Sequence, residues 1–94
     1  MSDAWHWSYD PDETHVIAGL PDTVVTEVER LASELAELAN LGVDITDLGS
    51  GPRPGLSGGL RRLNLHSDGW LYFLAAPRLR LILITRIVPP YKDL

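Results

Sequence analysis

The chain has 94 residues, and its 45% hydrophobic and 22% charged content is typical of a small globular protein. It contains no cysteine, which excludes disulfides and thiolate chemistry. Its apolar runs fall short of the roughly 20 residues of a membrane-spanning helix, and residues 1–5 lack the features of a signal peptide. We therefore expect a single cytoplasmic domain over residues 1–94 that does not enter a membrane.

The net charge of −5 conceals a division between the two halves of the chain. Residues 1–47 carry eleven acidic groups and one arginine, whereas residues 48–94 carry seven basic groups and two acidic ones. Such an asymmetry indicates two surfaces with different partners. The alternative is that the acidic groups only keep the helices soluble.

Residues 5–9 alternate aromatic and polar side chains, which predicts a strand with one buried face at an edge of the sheet. A short helix is predicted next, with Asp10 as its N-cap and Pro11 in its first position. The sequence Gly19-Leu20-Pro21 should end this helix.

A second, longer helix is predicted from a cap at Asp22 to Asn40, with Gly42 in a left-handed conformation after its end. Its apolar residues recur at spacings of three and four, and they are Val24, Val25, Val28, Leu31, Ala32, Leu35, Leu38 and Ala39. The two helices are predicted to form an antiparallel hairpin that packs on a sheet.

Residues 43–59 lose this periodicity and are rich in Gly and Pro, which predicts a long loop held by Ile45, Leu48 and Leu56. Loops of this length often bind ligands or are disordered. The glycines lack the Gly-Lys-Ser/Thr ending of a nucleotide-binding P-loop.

Three apolar runs follow, at residues 60–65, 70–75 and 79–88. Asp68-Gly69 favours a tight turn between the first two runs, and Pro89-Pro90 ends the third. The predicted fold is α+β: a twisted antiparallel sheet of about four strands packed on an N-terminal helical hairpin.

Strand alternation predicts which side chains share a face of this sheet. Arg62, Asn64 and His66 should lie opposite Arg61, whereas Arg80 and Arg86 should share the face of Ile82 and Ile84. The face that the helices leave uncovered must then carry some of the arginines. Arginines there also protect strand edges and maintain solubility, which is the alternative to a functional site.

Grouped guanidinium groups suit phosphate, because each can donate two parallel hydrogen bonds. RNA cleavage through the 2′-hydroxyl needs a base, a cation beside the phosphorane and an acid for the departing oxygen. Arg62, His66, Arg80, Arg86 and Tyr91 could supply these groups. The three histidines are scattered along the chain, so no metal site and no cofactor are predicted.

The order of the predicted elements resembles the RelE/ParE superfamily of bacterial type II toxins. The stretches that carry the resemblance are Trp7-Ser8-Tyr9-Asp10-Pro11-Asp12, Gly19-Leu20-Pro21-Asp22, Pro52-Arg53-Pro54, Gly59-Leu60-Arg61-Arg62-Leu63 and Asp68-Gly69-Trp70-Leu71-Tyr72. The chain departs from the family in its acidic net charge, and it lacks the arginine that often opens the third strand.

The resemblance implies a ribosome-dependent mRNA endonuclease or, as the alternative, a ParE-like inhibitor of DNA gyrase. The predicted catalytic residues are Arg62, His66, Arg86 and Tyr91, and the predicted RNA- or phosphate-binding residues are Arg53, Arg61, Arg78 and Arg80. The expected partners are a cognate antitoxin together with the ribosome and mRNA, or gyrase, and the expected assembly is a homodimer or a toxin–antitoxin hetero-oligomer. A third hypothesis is a non-catalytic module that binds a protein through its acidic helices.

Overall fold

The computed structural model describes residues 4–51, 59–65 and 69–89. This part of the chain contains four strands in one sheet and a single long helix, which confirms the α+β class. The elements are β1 (His6–Tyr9), α1 (Glu13–Ile17), α2 (Asp22–Asn40), a 3-10 turn (Ile45–Asp47), β2 (Leu60–Asn64), β3 (Trp70–Ala76) and β4 (Leu81–Val88).

The sheet is mixed, with the strand order β1-β4-β3-β2. The β2–β3 and β3–β4 pairs are antiparallel, as predicted, and β1 lies at an edge, also as predicted. However, β1 runs parallel to β4, so the prediction of an entirely antiparallel sheet was wrong. The helices carry the chain from β1 to the far edge, and the last strand of the meander then returns beside β1 in the same direction.

The predicted helical hairpin is not observed, because α1 has only five residues and α2 is the long helix of the described chain. Asp10 does not cap α1, since its amide donates a backbone hydrogen bond to Ile84 and so continues the pairing of β1 with β4. Asp12 is the cap instead, and its carboxylate accepts a 2.9 Å hydrogen bond from the amide of His15. Helix formation therefore starts two residues later than predicted.

Helix α2 covers one face of the sheet with the predicted apolar stripe. Leu38 is the exception, at 37% exposure in the last turns of the helix. The helix is preceded by Pro21 as N-cap, so Asp22 lies inside the helix and is not its cap. Gly42 has the predicted left-handed conformation, at φ +92°. The buried residues of the helix are Val24, Val28, Ala32, Leu35, Ala36 and Ala39.

On the sheet side, the core is formed by Leu65, Leu71, Phe73, Ile82, Ile84 and Ile87. Trp7 and Tyr9 of β1 are half-buried against it, which confirms the predicted one-sided burial of this strand. Ile45 is buried and Leu48 is half-buried, so both fix the segment after α2 as predicted, while Leu56 lies outside the described residues.

Strand β4 contains a bulge that changes the face of its last residues. Tyr72 of β3 lies opposite Arg86, but the next residue, Phe73, lies opposite Ile84, so Thr85 is an extra residue in the ladder. Burial then falls on Ile87, and Arg86 is exposed. The prediction that Arg86 shares a face with Ile84 was therefore wrong, because one inserted residue reverses the alternation.

No helix in the described ranges is long and apolar enough to cross a membrane.

Candidate functional site on the open sheet face

The face of the sheet opposite α2, here called the open face, carries a row of three side chains across three strands. Arg62 of β2 lies opposite Tyr72 of β3, which lies opposite Arg86 of β4. Residues that face each other across an antiparallel pair project on the same side of the sheet. Because neighbouring strands are about 5 Å apart, the two arginine backbones are separated by roughly 10 Å. The two arginines and the tyrosine therefore start from neighbouring positions on one face of the sheet.

Arg62 is further positioned by Trp70, which also lies on the open face. The guanidinium carbon of Arg62 lies 4.8 Å from the centroid of the Trp70 ring, a cation–π contact. The indole Nε1 of Trp70 is buried and has no hydrogen-bond partner among the described residues. The ring therefore serves as a platform for the arginine.

Within the described ranges, neither Arg62 nor Arg86 forms an ion pair with a carboxylate. An ion pair of 2.8 Å joins Arg30 to Glu34 on α2, and the His15 ring contacts the Asp12 carboxylate at 2.8 Å at the start of α1. A cation that is stacked on an aromatic ring keeps its full charge for an anionic ligand, whereas a carboxylate partner would neutralise it. The open face thus carries two arginines that have no carboxylate partner within the described ranges.

The segment after the 3-10 turn extends the sheet next to Arg62. Ser50 and Arg62 exchange two backbone hydrogen bonds, of 2.9 and 2.8 Å, in an antiparallel bridge on the outer edge of β2. Gly49 allows this approach: it has φ +72°, and a Cβ at this position would lie 2.2 Å from the carbonyl oxygen of Arg62. Any larger residue would push the segment away from the strand.

Arg61 holds the same segment from the other side of the sheet. It is only 4% exposed, and its guanidinium donates to the carbonyl oxygens of Leu48 and Gly49. It also lies so close to Gly51 that a Cβ there would meet Nη1 at 2.6 Å. The structure thus places Arg61 beneath the segment and away from the open face, so it is not part of the candidate site.

These contacts form a shallow recess beside the row. Its volume is about 270 Å³, and it is lined by Ser50, Gly51, Leu60, Arg62 and Tyr72. Arg62 and Tyr72 line the recess and also belong to the row of Arg62, Tyr72 and Arg86, here called the cationic row. The recess and the cationic row therefore form one continuous site.

Two further predicted residues, Arg78 and Arg80, are not brought into this site. Arg78 and Arg80 are exposed in the turn between β3 and β4, and Arg80 has a left-handed φ of +51°. Arg80 is six residues before Arg86, which places it about 20 Å away at the opposite end of β4. Arg53, His66 and Tyr91, predicted as phosphate-binding or catalytic residues, lie outside the described residues.

Trp70 and Tyr72 are not among the site residues that the sequence predicts. Both alternate along β3 with the buried Leu71 and Phe73, so their common face was visible in the pattern of the strand. Their position beside Arg62 and Arg86 was not visible, because it depends on the register of two strand pairs and on the bulge at Thr85.

The titratable groups with shifted pKa values lie away from the open face. Burial, and then the 2.9 Å hydrogen bond from its hydroxyl to Glu29, raise the pKa of Tyr9 well above its ordinary value. Hydrogen bonds from His15 lower the pKa of Asp12, and hydrogen bonds from Thr46 lower that of Asp44. These groups have structural roles in a strand–helix contact and in two helix caps.

No group of three His, Cys, Asp or Glu side chains in the described ranges is arranged to hold a metal ion. The fold and the site together define an α+β protein with arginines and aromatic rings on the sheet face opposite α2. None of the family models, curated proteins or solved structures with which the chain was compared matches it.

Proposed function

We propose that this chain is the toxin of a bacterial type II toxin–antitoxin system and that it cleaves mRNA on the ribosome. The observation that carries the proposal is the row of Arg62, Tyr72 and Arg86 on the open face. Two cations on either side of a phenol, with no carboxylate partner in the described ranges, suit a phosphodiester undergoing transfer.

The chemistry follows from the position of these groups. The 2′-oxygen attacks the adjacent phosphorus as a base takes its proton, and the bond from phosphorus to the 5′-oxygen breaks as that oxygen receives a proton. The products are a 2′,3′-cyclic phosphate and a 5′-hydroxyl. Arg62 and Arg86 stabilise the negative charge that develops on the phosphorane, because guanidinium groups bind phosphate oxygens through paired N–H donors.

The two proton transfers need groups next to the arginines. Tyr72 stands between Arg62 and Arg86 in the strand register, so on this proposal its hydroxyl gives or takes one of the two protons. The proposal keeps His66 and Tyr91 as the other two candidates, as the sequence predicts. No metal ion takes part in this scheme.

The order of the elements also supports the proposal. A strand, a short helix, a long helix and a three-stranded antiparallel meander follow one another along the chain, and this is the order from which the resemblance to the RelE/ParE superfamily was inferred. On this proposal the fold is RelE/ParE-like, with one long helix, α2, packed on the sheet in place of a helical hairpin. A cognate antitoxin would inhibit the toxin by placing carboxylates over the open face.

The test is induced expression of the full chain in a bacterial host, with growth measured and mRNA 5′ ends mapped by primer extension. The wild type should arrest growth and generate new 5′ ends within codons. Arg62→Ala and Arg86→Ala should each lose both effects. Arg78→Ala is the matched control, since it removes an exposed arginine outside the row and should stay toxic.

Each alternative has a distinct outcome. If the arginine variants arrest growth like the wild type, the row is not the site. Growth arrest with gyrase-dependent DNA breaks and intact mRNA would support the gyrase inhibitor, and a wild type without effect on growth would support the interaction module.

A further inference from the structure

The recess beside the cationic row gives the open face a second binding feature. We infer that it binds one unpaired nucleobase of a single-stranded RNA, next to the phosphate between Arg62 and Arg86. This inference rests on the proposed function and deepens it, because it names the form of the substrate.

The size of the recess limits what can enter it. Its volume of about 270 Å³ is below the roughly 300 Å³ at which pockets for drug-sized ligands begin. A single flat heterocycle fits such a space. A base within a duplex is stacked and paired on its edge, so only a base that has left its stack can insert.

The walls of the recess have the chemistry that a nucleobase requires. The ring of Tyr72 and the side chain of Leu60, which is 44% exposed, provide aromatic and aliphatic surface. Every nucleobase can stack on such surface, because each has a π-face. The hydroxyl of Ser50 and the backbone of Gly51 add polar groups at the rim that can bond to the edge of a base.

The recess is also preformed. Its Ser50 wall is fixed to β2 by the two backbone hydrogen bonds with Arg62. Below it, Arg61 holds the carbonyl of Gly49, and Gly49 itself permits contact that no other residue would allow. A wall fixed before binding costs little ordering entropy when a ligand arrives.

The position of the recess matches the shape of a nucleotide. Tyr72 lines the recess and also occupies the centre of the row, and neighbouring strands are about 5 Å apart. A base in the recess and a phosphate between Arg62 and Arg86 can therefore belong to one nucleotide.

The experiment titrates the full-length protein with three probes and follows binding by NMR. The probes are uridine 3′-monophosphate, ribose 5-phosphate and inorganic phosphate, which share the phosphate and differ in the base and sugar. The nucleotide should bind about tenfold more tightly than ribose 5-phosphate, as expected for one stacked base. Arg86→Ala should weaken binding of all three.

The variant Leu60→Trp fills the recess at an exposed position and should remove the tenfold preference for the nucleotide while leaving the affinity for ribose 5-phosphate within about twofold. Leu79→Trp is the matched control, because Leu79 is 70% exposed in the turn between β3 and β4. Should Leu60→Trp not fold, Tyr72→Leu removes the aromatic wall and should also abolish the preference.

The outcomes separate the two proposals. Equal binding of the nucleotide and ribose 5-phosphate, both weakened by Arg86→Ala, overturns the base-binding recess and leaves the cationic row standing. A preference for the nucleotide that survives both Leu60→Trp and Tyr72→Leu also overturns the recess. If none of the three phosphate probes binds, the row itself is not an anion site and the proposed function fails with it.

Discussion

The guanidinium carbon of Arg62 lies 4.8 Å from the centre of the Trp70 ring, and the two residues are diagonal neighbours on β2 and β3. This contact orients a cation without cancelling its charge. It explains how a half-buried arginine on a sheet face can be held in place while keeping its charge for a phosphate.

The first prediction concerns this pair. A double-mutant cycle of Arg62→Ala and Trp70→Leu should give a coupling free energy of about 0.5–1 kcal/mol, the range for cation–π contacts near the surface. Urea denaturation of the four proteins measures it. The control cycle pairs Arg62→Ala with Trp7→Leu, since Trp7 packs edge-on against Tyr9 at 5.2 Å on the core side. That cycle should be additive, and an equal coupling in both cycles would contradict a specific contact.

The second prediction separates the adjacent arginines. Arg61→Ala should lower the free energy of unfolding by about 1–3 kcal/mol, because it removes the charged donor of two part-buried hydrogen bonds to the carbonyls of Leu48 and Gly49. Arg62→Ala should cost less than about 1 kcal/mol but abolish toxicity. Chemical denaturation and growth assays on both variants test this. Equal stability losses would show that the two side chains do not divide into a structural and a functional one.

The third prediction concerns Gly49. Gly49→Ala should destabilise the protein by more than the roughly 1–2 kcal/mol that a left-handed alanine costs, because its Cβ would meet the carbonyl oxygen of Arg62 at 2.2 Å. Gly19→Ala is the matched control, with φ +80° and no atom within 4 Å of the added Cβ. Thermal unfolding compares the two variants. If both melt at the same temperature, the close approach of residue 49 to β2 is not present in solution.

The fourth prediction concerns alkaline pH. Burial raises the pKa of Tyr9, so the phenol contributes stability that is complete below its ordinary pKa of about 10. That stability is lost as the pH rises from there towards the raised pKa. The free energy of unfolding of Tyr9→Phe should therefore decline less steeply above pH 10 than that of the wild type. Unfolding free energies measured from pH 8 to 11 give the comparison.

The variant Glu29→Gln refines this test. It keeps an acceptor for the Tyr9 hydroxyl, 2.9 Å away in the wild type, and removes the carboxylate charge. Because burial is the largest single cause of the raised Tyr9 pKa, the alkaline decline in stability should be reduced in this variant but should not disappear. A complete loss of the decline would mean that the carboxylate is the dominant cause and burial is not.

Local patterns predicted the elements better than their arrangement. The spacing of Val24, Val28 and Leu35 predicted α2, and the turn signal at Asp68-Gly69 agreed with the β2–β3 hairpin. The start of α1 was misplaced, because the cap at Asp10 competed with a backbone hydrogen bond to Ile84 on a distant strand. A hydrogen bond to a residue 74 positions away along the chain cannot be inferred from the local pattern.

The candidate site was predicted only in part, for a similar reason. Alternation along β2 correctly predicted that Arg61 and Arg62 lie on opposite faces of the sheet, because this strand is regular. The same alternation failed for Arg86, because the extra residue at Thr85 reverses the faces of β4. The recess was not predictable, since it requires Ser50 to pair with Arg62.

The amino-acid sequence by itself therefore determined the class of fold, the long helix, the meander and the presence of arginines on a sheet, because hydrophobic periodicity and turn residues act over a few neighbouring positions. Only the tertiary structure decided that β1 is parallel to β4 and that Arg62, Tyr72 and Arg86 form one row beside a recess. Those features depend on strand register and on a bulge, which are set by the packing of residues far apart in the chain.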